Sequence, residues 1–121
     1  MMSKKTLIIG ATPNPDRYAY KAAHKLVQFG HDIVNVGVKK GEVANQPIEK
    51  PEQIHNDIDT VTLYVNPNNQ KDLYDYILNT KPKRIIFNPG TENPELEQKA
   101  EDLGIETMEA CTLVLLSTHQ Y

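Results

Sequence analysis

The sequence predicts an α/β fold: an open parallel sheet of five strands with helices on both faces. Three observations carry this. Short β-favouring runs alternate with helical repeats, the runs are continuously apolar as in strands covered on both faces, and one helix separates the first two strands as in a βαβ unit.

The first strand is Thr6-Leu7-Ile8-Ile9, ended by Gly10. A turn-rich stretch follows, and then apolar residues recur at Ala19, Ala22, Ala23, Leu26 and Val27, with Lys21, His24, Lys25 and Gln28 opposite. This is an amphipathic helix, which Asp16 is placed to cap and Gly30 to end. Residues 32–38 and 60–65 read as the second and third strands, 70–79 as a helix with Leu73, Ile77 and Leu78 inward, and Arg84-Ile85-Ile86-Phe87 as the fourth strand. Asn93 caps a helix over 94–103 that begins on Pro94 and turns Leu96, Ala100 and Leu103 inward. A short fifth strand covers 105–108. The stretch 39–59, with Gly41, Pro47 and Pro51, reads as a loop holding one helical turn around residues 52–55.

The first strand belongs at the middle of such a sheet, between the second and third. Ligands bind outside the carboxyl ends of the strands where their order reverses, so the site is expected in the loops after Ile9, Val38, Val65, Phe87 and Met108.

At 121 residues, 39% hydrophobic and 24% charged, the chain fits one globular domain over 1–121. No apolar run approaches the ~20 residues of a membrane span, and the start from Met1 has too short an apolar run for a signal peptide. The single cysteine, Cys111, excludes an internal disulfide and two-cysteine zinc patterns, so a cytoplasmic setting is expected. The formal charge of -3 and dispersed lysines argue against a nucleic-acid partner.

Gly10 lets the chain turn sharply after the first strand, and Thr12 offers a hydroxyl near the start of a helix whose free amides attract phosphate. The loop reads as a pyrophosphate cradle or, without a ligand, as a plain strand-to-helix turn. It lacks G-x-G-x-x-G, and no carboxylate ends the second strand to take a ribose diol, as an NAD site requires. Lys39 and Lys40 stand there instead. They suit a phosphorylated adenosine, coenzyme A or NADP, or else form a solvated turn pair. Cys111 sits after the fifth strand as a candidate thiol nucleophile or a packing residue. His24, His31, His55 and His119 are scattered, so no metal site is expected. The chain has no nucleophile elbow, no P-loop and no evident acid–base pair.

The run from Leu7 to Tyr20, through Gly10-Ala11-Thr12-Pro13-Asn14-Pro15-Asp16-Arg17, resembles the opening of the small CoA-binding domain family. That family shares its Rossmann-like fold with the CoA-binding domain of the succinyl-CoA synthetase α subunit. Its members usually open Gly-Ala-Ser, with Thr12 here in place of Ser, then a Pro, Asn and Asp-Arg segment. The resemblance implies coenzyme A binding through Gly10, Ala11, Thr12, Pro13, Asn14 and Arg17. It also places the backbone of Asn88-Pro89-Gly90 near the adenine, and puts Cys111 where many members have a cysteine. The family's Val-Asn-Pro-Lys after the second strand reads here Val36-Gly37-Val38-Lys39, and its Asp-Arg-Cys reads Glu109-Ala110-Cys111.

The expected function is therefore a CoA-binding or acyl-CoA-binding module without catalysis of its own, acting for a homo-oligomer or an enzyme partner. The alternatives are a minimal NADP-dependent reductase or a Cys111-dependent acyl-transfer enzyme, and an interaction protein that kept the fold without the ligand.

Overall fold

The computed structural model describes residues 3–121; Met1 and Met2, where the absence of a signal peptide was inferred, lie outside the described residues. One sheet organises the chain. Its strands are β1 (Thr6–Ile9), β2 (Ile33–Val36), β3 (Glu42–Val43), β4 (Gln46–Glu49), β5 (Thr60–Leu63), β6 (Arg84–Phe87) and β7 (Glu106–Glu109). Across the sheet they run β3-β4-β2-β1-β5-β6-β7. The central strand β1 pairs in parallel with β2 on one side, Thr6 opposite Ile33, and with β5 on the other, Thr6 opposite Thr60.

The sheet thus has seven strands, not five, and it is mixed, because β3 and β4 form an antiparallel hairpin in the stretch expected to be loop. Pro47 has no amide and reads as a breaker. It is tolerated because β4 lies near the sheet edge and pairs with β2 only at Ile48 and Glu49. The turn is made by Ala44 and Asn45, both at positive φ, the backbone of a tight hairpin without its usual Asn-Gly. Buried Asn35 supports it, donating from Nδ2 to the carbonyls of Val43 and Gln46 at 3.0 and 3.1 Å. No helix forms over residues 52–55.

Among the described residues five α-helices flank the sheet: α1 (Tyr18–Gln28), α2 (Pro67–Gln70), α3 (Tyr74–Thr80), α4 (Pro94–Asp102) and α5 (Thr112–Ser117). Alternation along the strands builds two cores. Leu7, Ile9, Val36, Leu63 and Phe87 pack with Ile77 of α3 and Leu96 of α4. Ile8 and Ile33 pack with Ala19, Ala23 and Leu26 of α1 and Leu116 of α5. The helix expected over 70–79 is broken by a 3-10 turn, Lys71–Leu73, so that Gln70 ends one segment instead of opening it. Val27 and Leu103 are not inward; they are 45% and 63% exposed, Leu103 because it stands past the last turn of α4. Asn93 caps α4 as expected, accepting from the amides of Glu95 and Leu96 at 3.1 and 3.2 Å. Asp16 does not cap α1, which starts later, with Arg17 at the cap position.

On the starts of the strands, the Arg84 guanidinium lies 4.4 Å over the Tyr121 ring, and the Tyr121 hydroxyl pairs with Thr6. At the opposite rim, Glu97 of α4 has a buried carboxyl oxygen with no donor. Burial and the carboxylates of Glu109, Glu101 and Glu92 push Glu97 up to about 7 from a usual value of 4.5. A carboxyl raised in the folded state favours folding only while protonated, so stability drains away as pH rises from the usual value to the raised one. Glu97→Gln should therefore gain about 1 kcal/mol at pH 8, after allowance for solvent screening, and almost nothing at pH 4.5. Urea denaturation at the two pH values checks this; an equal effect at both would remove the ionisation from the account.

Candidate functional site

A groove of about 940 Å³ opens over the carboxyl ends of β2, β1, β5 and β6. The order of strands sets the order of its parts. At the β2 end stand Gly37, Val38 and Lys39 with Pro51; the loop after β1 brings Gly10 to Asn14 and Arg17 to the middle; Val65, Asn66, Asn69 and Leu73 follow, and Pro89, Gly90 and Thr91 close the β6 end. The loop after β7 takes no part.

The middle is built by close backbone approach. Gly10 stands at φ +97, and a Cβ there would meet the Tyr64 carbonyl and the Val65 side chain at 3.0 Å. The amides of Gly10 and Ala11 both donate to the Val36 carbonyl, at 2.9 and 3.0 Å. They are thus spent on joining the loop to β2. Besides the Thr12 amide, the donors left for an anion are those of the first turn of α1, which have no intrahelical acceptors and no side-chain cap. Asn14 arranges the approach to that turn, accepting from the Asp16 amide at its Oδ1 and from the Arg17 amide at its carbonyl. Arg17 itself lines the groove at the cap position.

Charge follows the same pattern. The chain has a formal charge of -3, yet among the described residues the groove wall carries two cationic side chains, Arg17 and Lys39, and no carboxylate, histidine or cysteine. Tyr64, on the floor, is the wall's remaining titratable side chain, and burial lifts its phenol above the usual tyrosine range. It stays neutral.

Most residues singled out in the sequence meet at this groove: Gly10, Ala11, Thr12, Pro13, Asn14, Arg17, Lys39, Pro89 and Gly90. Three do not. Lys40 is exposed outside it. Asn88 is an interior strut, 2% exposed: Nδ2 donates to Thr62 Oγ1 and the Leu63 carbonyl at 2.7 and 2.9 Å, while Oδ1 accepts from the Thr112 amide. Cys111 precedes α5, half-buried and off the groove. Gly90 and Lys39 lie at opposite ends, three strand spacings or about 14 Å apart. Gly37, Val38, Pro51, Asn66, Asn69, Leu73 and Thr91 were not singled out; most lie in loops that the strand-order rule does indicate.

Among the described residues no group of three or more histidine, cysteine or acidic side chains could hold a metal ion, and no helix is long and apolar enough to cross a membrane.

An open sheet of this order, with helices on both sides and a groove at its switch point, defines a Rossmann-like α/β protein. The chain belongs to the CoA binding domain family, whose model matches residues 4–117. A crystal structure of an uncharacterized protein is 53% identical over all of both chains, with a TM-score of 0.97. Two others share the fold: a Thermus thermophilus protein described as cell-free ID.343, 18% identical, covering 98% of this chain and 91% of its own, TM-score 0.85, and a hypothetical protein from Pyrococcus horikoshii OT3, 24% identical, covering 96% and 83%, TM-score 0.86. No curated protein matches the chain.

Proposed function

We propose that the chain binds coenzyme A or an acyl-CoA in this groove and performs no chemistry on it, serving an enzyme partner or a second copy of itself. The observation that carries this is the cationic wall in an acidic protein, on a chain that belongs to the CoA binding domain family. The two cations stand in the order in which the ligand carries its phosphates. Lys39 at the β2 end takes the ribose 3′-phosphate, the first turn of α1 with Arg17 takes the pyrophosphate, and the pantetheine arm runs over Val65 and Leu73 toward Gly90. The family points to coenzyme A, and NADP has no support in it.

The reading without catalysis rests on the make-up of the wall: among the described residues it carries no carboxylate, histidine or cysteine, and the thiol of Cys111 lies elsewhere. An acyl-transfer role for Cys111 would need that thiol at the pantetheine end.

Titration calorimetry with coenzyme A tests the proposal, and failure to bind at millimolar ligand would sink it. The same titration with 3′-dephospho-CoA tests the orientation. Lys39→Ala should cost coenzyme A about fivefold at low salt, an exposed lysine–phosphate pair contributing about 1 kcal/mol. The variant should bind the two ligands alike. Lys40→Ala should change neither, and a wild type that does not prefer coenzyme A would remove Lys39 from the phosphate site.

A further inference from the structure

The two rims that close the β6 end of the groove are not joined by the sheet. The last residue pair between β5 and β6 is Leu63 with Phe87, and beyond it the chains part toward Val65 on one side and Thr91 on the other. Asn88 ties the strand ends themselves, donating to the Leu63 carbonyl, and beyond them one side chain reaches both Val65 and Thr91. Gln70, wholly buried at the end of α2, donates from Nε2 to the Val65 carbonyl at 2.9 Å and to the Thr91 carbonyl at 2.8 Å. Its Oε1 accepts from Asn93 Nδ2 at 2.9 Å. Asn93 Nδ2 also donates to the Tyr74 hydroxyl at 2.8 Å, while Asn93 Oδ1 caps α4. Both amide hydrogens of Gln70 and its oxygen are therefore committed, and each bond ends on an element that carries or anchors a rim.

Buried amides with all their bonds made fix a geometry, since any displacement leaves an unpaired polar group in the interior. The 3-10 turn Lys71–Leu73 follows the point where Gln70 is pinned, and it presents Leu73 to the groove.

We propose that Gln70 is a positioning residue for the groove: one buried amide holds the Val65 and Thr91 rims at the spacing that receives the ligand's pantetheine arm. This rests on the CoA reading. It goes beyond that reading in dividing the site into two parts under separate control. The nucleotide part is set by the joining of the β1 loop to β2, and the arm part by Gln70.

The test uses Gln70→Glu, which keeps shape and the bond to Asn93 but turns an oxygen toward two carbonyls, and Gln70→Met as a second variant without donors. Affinities for coenzyme A and for adenosine 3′,5′-bisphosphate, which lacks the arm, are measured by calorimetry. In folded variant protein, coenzyme A should lose about tenfold in affinity and the bisphosphate less than about twofold. Hydrogen exchange of the unliganded Gln70→Glu protein should quicken in residues 65–69 and 89–93 and not in 10–17. Equal losses for both ligands, an unchanged CoA affinity, or exchange quickened throughout would overturn the inference. Wild-type protein that binds neither ligand would overturn the CoA reading itself.

Discussion

Gly37→Ala is expected to destabilise the protein by about 2 to 3 kcal/mol and to weaken coenzyme A binding in whatever remains folded. A Cβ at this position would stand 2.5 Å from the Ala11 carbonyl oxygen and 3.2 Å from the Ala11 nitrogen. Neither side can step back cheaply. The Ala11 amide is bonded to the Val36 carbonyl, and the Gly37 amide to the Glu49 carbonyl at 3.0 Å. Relief must come from moving the loop that leads to Thr12 and Arg17. Gly30→Ala is the control: Gly30 has φ +88 but open space around it, so that change reports backbone strain alone, about 1 kcal/mol. Urea denaturation of both variants decides the matter. If Gly37→Ala costs no more than Gly30→Ala, the close approach of the two loops does not hold the groove together.

Arg17→Glu should produce the largest change in binding, a loss of about thirtyfold in CoA affinity, or roughly 2 kcal/mol, with stability almost unaltered. Arg17 is exposed and makes no side-chain cap, so the folded state gives up little. The loss has two parts, a guanidinium–pyrophosphate pair removed and a carboxylate set against an anion at the helix start. Both are screened, so the gap between wild type and variant should narrow as salt rises. Calorimetry at low and high salt measures this. An affinity equal to wild type at low salt would take the pyrophosphate away from the start of α1.

Much of this architecture was legible in the sequence, and the reasons differ from element to element. Leu7, Ile9, Ile85 and Phe87 announce buried strands because parallel strands bury both faces. Asn93 and Pro94 announce a helix start because capping is local chemistry. The hairpin was not legible: Ala44 and Asn45 do not advertise positive φ, and Pro47 argues against a strand. The polar Asn35 inside an apolar run was the one available signal, because a buried amide must bond to something nearby. The groove's loops followed from strand order. The side-chain roles of Asn88, expected to offer its backbone to the ligand, and of Gln70, expected only to open a helix, were not legible, because a buried amide strut and an exposed polar residue look alike in sequence. Lys39 and Lys40 are neighbours in the chain, yet only the first lines the groove, a difference set by the turn after Gly37.

The groove draws on residues from Ile9 to Thr91, carried by four strands distant in sequence that must all be paired to form it. A chain in which any of the four is unpaired does not contain it. A ligand that fills it therefore recognises the native state alone, and mass action makes the whole sheet more stable by about 2.7 kcal/mol at a free concentration one hundred times Kd. On the proposed reading, the melting temperature of this protein is a readout of ligand supply. For a ligand bound as proposed, a falling supply would lower stability and speed turnover of the chain while the groove is still mostly filled.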